Sequence, residues 1–424
     1  MTEKVIAAGL VLPDLARSVA EEHLEELSKL IESAGGEVVA RMLAKRPSPD
    51  PATFIGSGKA EELKRTIEQH GATLVVFDDD LSPAQVRNLE KVTAVKVIDR
   101  SALILDIFAR RARSREARTQ VELAQLEYML PRLTRQWSHL ERQAGGIGTR
   151  GVGETQLELD RRIIRTRIAR LKDDLQHIER TRVTQRKSRA GVYTIALVGY
   201  TNAGKSTLFN RLTSGGAAAM DKLFATLDAK THRIAYEMPR ETVIVDTVGF
   251  IRKLPHHLVA SFRSTMEEAV ASDLVLHVID GSHPQFEEQR AIGQEVLADL
   301  GVDRSTILEV YNKFDLAESA QHWFPEPRGR DAVAASALTG RGIDKLLDLI
   351  RDRELAGGEV MQLEIPHGES RLAARLHEVA QVHEQTQGDD ATIFTAWVPR
   401  EFVHLFEPFS AAALLKPTRV SRAV

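Results

Sequence analysis

Gly199-Tyr-Thr-Asn-Ala-Gly-Lys-Ser206 decides how this chain of 424 residues is read. It has the spacing Gly-x-x-x-x-Gly-Lys-Ser. The apolar run Tyr193 to Val198 before it reads as a buried strand, and Thr207 to Leu212 after it reads as a helix start. Strand, glycine loop and helix in that order make a phosphate-binding loop. Backbone N–H groups along Gly199, Asn202, Ala203, Gly204, Lys205, Ser206 and Thr207 are expected to cradle the phosphates, because a helix N-terminus carries unpaired donors and partial positive charge. Lys205 is expected near the β- and γ-phosphates, and the Ser206 hydroxyl on Mg²⁺.

The base is read further along. Asn312-Lys-Phe-Asp315 follows the apolar strand Ile307 to Val310 and fits an Asn-Lys-x-Asp guanine reader. A carboxylate at Asp315 accepts from guanine N1–H and the 2-amino group, and adenine offers neither donor. A site built on such bonds rejects the wrong base by roughly 10⁴ or more, since its buried carboxylate goes unpaired. Asn312 braces the loops, and the Lys313 stem covers one face of the base. Ser336-Ala-Leu338 matches the last guanine-binding element, with the Ala337 N–H expected at O6. These motifs in this order predict a GTP-binding domain.

The hydrolytic parts are less usual. Asp246-Thr-Val-Gly249 follows the strand Val243 to Val245; Asp246 is expected in the second shell of Mg²⁺ and the Gly249 N–H at the γ-phosphate. Thr226, in Phe224-Ala-Thr-Leu-Asp228, is the expected switch threonine on Mg²⁺ and the γ-phosphate, with Thr231 as the alternative. Lys205, Thr226 and Gly249 thus form the predicted catalytic set. Phe250 stands where many GTPases carry a water-orienting Gln. A phenyl ring cannot orient water, so slow intrinsic turnover and outside help are expected.

Composition bounds the rest. The length calls for two to four domains, and 43% hydrophobic with 28% charged residues is ordinary for a soluble protein. Absence of cysteine excludes disulfides and thiolate metal sites. No signal segment or long apolar run appears, which predicts a cytoplasmic protein without a membrane span. The net charge of −3 hides an asymmetry. Phe108 to Ala190 carries 20 Lys and Arg against 10 Asp and Glu, a net of +10, leaving −13 for the remainder. Such a segment is either a solvated helical face or a surface for a polyanion.

Residues 1–100 alternate strand-like and helix-like runs and predict a small parallel α/β domain. The strands are Ile6 to Val11, Glu37 to Leu43, Leu74 to Phe77 and Val95 to Ile98; Ser82-Pro83 opens a helix. Phe54-Ile-Gly-Ser-Gly-Lys59 reads as a glycine turn into a helix or as a second ligand site. Residues 101–191 read as a helical-hairpin arm. Its second helix repeats Leu157, Ile164, Leu171 and Ile178 every seven residues, with Ile168 and Leu175 between them. Arg161, Arg162, Arg165, Arg167 and Arg170 fill its other faces. The connection, Gly145 to Glu154, holds Gly145, Gly146, Gly148, Gly151 and Gly153, flanked by Arg142 and Arg150. It is either an inert tip or a probe for folded RNA, where phosphates and shape supply affinity. Residues 192–354 form the nucleotide domain, and residues 359–424 a small α/β domain with no evident chemistry.

At the glycine loop the chain closely resembles the HflX family, ribosome-associated GTPases of the translation-factor-related class. The resemblance rests on Phe54 to Leu63, Leu81 to Glu90, Ile98-Asp-Arg100, Leu103 to Ala109, Gln120 to Leu126, Gly145 to Glu158, Phe224 to Asp228 and Asp246 to Arg252. It implies an N-terminal family domain with a helical arm ahead of a Ras-like P-loop GTPase domain. It also implies binding of GTP and GDP, binding to rRNA of the large ribosomal subunit near the peptidyl transferase centre, and splitting or rescue of stalled ribosomes under stress. In one branch of translation-associated GTPases an Asn at the position of Asn202 ligates K⁺, and the resemblance extends to that branch; Asn202 otherwise caps the loop. Val152 departs from the family's Pro, and Ala229-Lys-Thr231 from its Pro-Thr-Thr. Competing readings of the same motifs are a GTP-gated rRNA-binding module and a large-subunit assembly factor, in which hydrolysis serves only release. Nothing in the sequence demands more than a monomer.

Overall fold

The computed structural model describes residues 2–133, 152–187, 192–213, 230–238, 241–253, 268–319, 327 and 331–410. They fall into two units. One holds the chain up to Arg180 together with Ile251–Lys253, and the other holds the remaining described residues.

In the first unit, β1 (Glu3–Val11), β2 (Gly36–Lys45), β3 (Leu74–Phe77) and β4 (Lys96–Asp99) form a parallel sheet in the order β2-β1-β3-β4. Parallel neighbours need crossovers, supplied by α1 (Arg17–Ser33), α2 (Ser57–His70) and α3 (Pro83–Thr93). Leu24, Leu27, Leu30 and Ile31 recur at helical spacing on α1 and are buried, which fixes its inward face. The α3 start is as predicted: Ser82 Oγ accepts from the Gln85 N–H at 3.2 Å, the Gln85 side chain accepts from the Ser82 N–H at 2.9 Å, and Pro83 occupies the first turn. Phe54 to Lys59 is a glycine turn into α2. A Cβ on Gly56 (φ 87°) would lie 2.1 Å from the Arg46 guanidinium, and Lys59 pairs with Glu62 at 2.7 Å on the surface.

α4 (Arg100–Arg111) and α5 (Arg115–Met129) follow, then the long α6 (Val152–Lys187). Helix therefore begins five residues before the predicted Leu157, and Gly153 and Glu154 lie in it instead of in the loop. One glycine costs a helix only about 1 kcal/mol, and the run that follows is rich in helix formers. The predicted stripe holds: Leu171 is buried, and Ile164, Ile168, Leu175 and Ile178 are half-buried. Glu122 accepts two bonds from Arg167, at 2.7 and 2.8 Å, and Glu127 pairs with Lys172 at 2.8 Å, joining α5 to α6. Residues 134–151, the predicted hairpin connection, lie outside the described residues.

The second unit is built on a six-stranded sheet of order β10-β9-β8-β5-β7-β6. Its strands are β5 (Tyr193–Gly199), β6 (Lys230–Arg233), β7 (Thr242–Asp246), β8 (Leu274–Asp280), β9 (Ile307–Asn312) and β10 (Ala332–Ala334). All pair in parallel except β6, which runs antiparallel to β7. β5, β7, β8 and β9 read as near-continuous apolar runs because both sheet faces are covered. β5 lies between β7 and β8, and the loops at its carboxyl end form the crevice where open α/β sheets bind ligands. The same unit ends in a three-stranded antiparallel sheet, β11 (Gly358–Pro366), β12 (Gln381–Gln387) and β13 (Ala391–Pro399), with β13 central and Phe394, Leu376 and Phe406 in its core. His367, His377, His383 and His404 are exposed.

His277 on β8 is the anomaly of the nucleotide core. It is 1% exposed, and both ring nitrogens lack a partner among the described residues. Burial holds its pKa down at about 4, against the opposing pull of Glu309. Below pH 6.5 the unfolded chain takes up a proton that folded His277 refuses until about pH 4. Stability is therefore full above pH 6.5 and falls by about 3 kcal/mol as pH drops to 4. Urea unfolding at several pH values should show this slope in the wild type and a shallower one in His277→Leu.

Candidate active site

The phosphate loop is shaped by three close approaches. Gly199 (φ 146°) passes so near β8 that a Cβ would stand 2.1 Å from the Val278 carbonyl oxygen. Gly204 (φ 91°) would place a Cβ 2.2 Å from Asn312 Nδ2, and a Cβ on Gly249 would meet Lys205 Nζ and Thr201 Cγ2, each at 2.9 Å. Only glycine permits these contacts. Asn202 has φ 63° and is exposed, and among the described residues no hydrogen bond of its side chain is found.

α7 (Lys205–Leu212) starts directly after Gly204. Lys205 is 7% exposed, and its Nζ donates to the carbonyls of Gly199 at 2.9 Å and Tyr200 at 2.8 Å. Burial pushes its pKa down to about 8, with Asp246 partly opposing. The Ser206 hydroxyl donates to Asp246 Oδ2 at 3.0 Å, and Asp246 is 1% exposed at the end of β7. A hydroxyl and a buried carboxylate converging beside the lysine are hard oxygen donors of the kind Mg²⁺ takes.

Phe250 is locked in place. Its N–H donates to the Gly199 carbonyl at 2.9 Å, and its carbonyl accepts from the Thr201 N–H at 2.7 Å, a parallel bridge to the phosphate loop. The ring is 2% exposed. The absence of a water-orienting side chain is therefore built into the packing.

At the other end, Asn312 does the bracing expected of it. Its Nδ2 donates to the Ala203 carbonyl at 2.8 Å, and its Oδ1 accepts from the Ala337 N–H at 2.9 Å. The Ala337 N–H, expected at guanine O6, is thus engaged by Asn312 here, since the side-chain oxygen is the nearest acceptor. Asp315 Oδ1 accepts from Ser336 Oγ at 2.5 Å. Lys313 (φ 65°) donates to Asp280 Oδ2 at 2.6 Å. Leu338 is 70% exposed beside this loop.

The structure thus brings together Gly199 to Thr207, Asp246, Gly249, Asn312, Lys313, Asp315 and Ser336 to Leu338. Thr226 lies outside the described residues. Thr231, the alternative switch residue, sits in β6 opposite Val245. Of the arm residues, Arg162 and Arg165 are exposed and Arg161 is half-buried on α6. Gly153 is helical, whereas Arg142, Gly145, Gly146, Gly148, Arg150 and Gly151 lie outside the described residues. Sequence reasoning missed Asp280, although an aspartate closing the apolar strand β8 was a usable signal. It also missed Arg211, for which no local signal exists.

Comparison with known proteins agrees with this geometry. Family models match in series: a GTP-binding GTPase N-terminal region at residues 21–109, a GTP-binding GTPase middle region at 111–189, and a 50S ribosome-binding GTPase domain at 194–313. GTPase HflX of Magnetococcus marinus is 45% identical over 92% of this chain and 91% of its own. The chain belongs to the HflX family. GTPase HflX of Escherichia coli is 45% identical over 88% of each chain, and that of Caldanaerobacter subterraneus 46% over 86% of this chain and 85% of its own. Like the HflX GTPases, the protein hydrolyses GTP.

Two outcomes follow. Bound phosphates favour charged Lys205, so GDP and GTP affinity should be full below pH 8 and fall as pH rises through it. Calorimetry in buffers of different ionisation heat should show proton uptake on binding at about half a pH unit above the lysine's own value. Phe250→Gln should not accelerate hydrolysis, because the side chain at this position is aimed into the core. It should instead lower stability by about 3 kcal/mol, read by thermal unfolding.

Proposed function

We propose that this protein is a GTP-driven switch that binds the large ribosomal subunit and couples GTP binding and hydrolysis to splitting or rescue of stalled ribosomes under stress. The observation that carries the reading is the pairing of a fully braced nucleotide site with a buried Phe250. Such a site holds nucleotide but lacks its own means of orienting water, so its turnover awaits a partner. The description of the matching domain as a 50S ribosome-binding GTPase supplies the class of partner.

In this reading Asp315 accepts from guanine N1–H and the 2-amino group, Ser336 orients Asp315, and Lys313 covers the base. The loop Ala337–Leu338 faces position 6. Ser206, Asp246 and Thr226 hold Mg²⁺, which when bound neutralises charge on the phosphates. Asn202, exposed and unbonded at its side chain, offers an oxygen to K⁺. Arg161, Arg162 and Arg165 lie along rRNA phosphates, while Arg142, Arg150 and Gly145, Gly146, Gly148, Gly151 and Gly153 make up or flank the segment that enters rRNA. The protein acts in the cytoplasm as a monomer. Among the described residues no helix is long and apolar enough to cross a membrane.

GTP hydrolysis measured with and without purified large ribosomal subunits, in potassium and in sodium buffer, tests the proposal. Stimulation of at least about tenfold by the subunit is expected, since an added transition-state partner is worth that or far more. Greater stimulation in potassium assigns the ion to Asn202. Tight GTP binding without any stimulation would instead favour a GTP-gated rRNA-binding module or an assembly factor.

A further inference from the structure

Arg211 sits on α7, six residues beyond Lys205, and reaches to the other end of the nucleotide site. Its Nε donates to the Ala337 carbonyl at 3.0 Å, and its Nη2 donates to the next carbonyl, that of Leu338. One planar guanidinium thus spans two consecutive peptide groups, a geometry that lysine cannot reproduce. The loop's own turn does not use these two oxygens. It closes through the Gly340 N–H on the Ser336 carbonyl at 2.9 Å and the Ser336 N–H on the Arg341 carbonyl at 2.8 Å.

We infer that Arg211 is a positioning residue for guanine selection, acting by holding the Ala337 and Leu338 carbonyls away from the base. This inference rests on the reading above in which the Ala337–Leu338 loop faces position 6 of the base. A trans peptide carries its C=O and N–H on opposite sides. Fixing the Ala337 carbonyl toward α7 therefore turns the Leu338 N–H the other way; the following N–H, that of Thr339, is taken by Ser336 Oγ at 3.1 Å. A loop held in this sense offers the Leu338 N–H, a donor that suits an acceptor such as guanine O6. If either peptide plane turned over, a carbonyl would face position 6 and accept from a 6-amino group. Arg211 is thus a clasp against the turned-over loop, and its position on α7 ties that loop to the helix that begins at the phosphates.

The test pairs a change in the protein with a change in the hydrogen-bonding edge of the base. Affinities of GTP, 2,6-diaminopurine riboside triphosphate and inosine triphosphate are measured for the full chain and for Arg211→Ala and Arg211→Lys. The diaminopurine replaces O6 with an amino group and also loses N1–H, a bond to Asp315 that wild type and variants forfeit alike, so the change in preference between them reads the loop; inosine lacks only the 2-amino group, which lies opposite Asp315. In Arg211→Ala the preference for GTP over the diaminopurine should fall about fivefold, as expected for loss of two bonds at a partly exposed site. The preference for GTP over inosine triphosphate should hold within about twofold. Arg211→Lys should fall between, and hydrolysis by Arg211→Ala should show a raised KM with kcat nearly unchanged. A merely structural role would lower both preferences together; that result, or no change in either, overturns the inference. A wild type that does not distinguish GTP from the diaminopurine would instead refute the reading of the base site itself, Asp315 at N1–H and the loop at position 6. Thermal unfolding of both variants confirms that the comparison is between folded proteins.

Discussion

One amide side chain holds the nucleotide site together. Asn312 leaves the end of β9 and bonds in two directions, to the Ala203 carbonyl in the phosphate loop and to the Ala337 N–H in the base loop. It is 2% exposed, so neither bond competes with water, and losing either would strand a buried polar group. The two loops come from distant parts of the chain and meet only through contacts of this kind. Gly204 is part of the same joint, because the approach of Asn312 leaves no space for a side chain there. Phosphate binding and base binding are one structural event in this fold.

The first unit concentrates charge where the second concentrates hydrogen bonds. At the carboxyl ends of β3 and β4, Arg100 is 1% exposed and pairs with Asp78 at 2.6 Å and with Glu26. Asp99 accepts from Arg132 at 2.9 Å and from the Tyr128 hydroxyl at 2.8 Å. Lys253, counted with this unit, reaches Asp78 at 3.0 Å and also pairs with Asp79. Buried pairs of this sort add little net stability, because desolvation offsets attraction, but each is costly to break singly. His23 lies among them with its pKa held down at about 4, first by burial and then by Arg252.

The nucleotide site was legible in the sequence because its chemistry is local. Phosphate-binding glycines, the Asn-Lys-x-Asp reader and the Ser336 turn each occupy a few consecutive residues, and the apolar strands before them predict their place at a sheet edge. The α/β class of the first unit was equally readable, from strands of continuous apolar residues and from the Ser82-Pro83 helix start. What escaped depends on contacts between distant residues. Arg211 meets Ala337 across 126 positions, and Lys253 meets Asp78 across 175. The run Asp78-Asp79-Asp80 carries no spacing rule, so only the fold shows what it pairs with. The start of α6 was missed for another reason: local glycines argued for loop, and the helix propensity of the following residues prevailed.

The outer strand of the large sheet has a consequence of a different kind. Among the described residues β6 is paired on one side only, and Lys230, Thr231, His232 and Arg233 are all exposed. An open strand edge is a template on which another chain can add, and basic side chains along it repel a second copy of the same edge. The sheet that carries the phosphate loop is thus protected against joining its own kind, and a protein made in many copies keeps its nucleotide-binding sheets from stacking edge to edge.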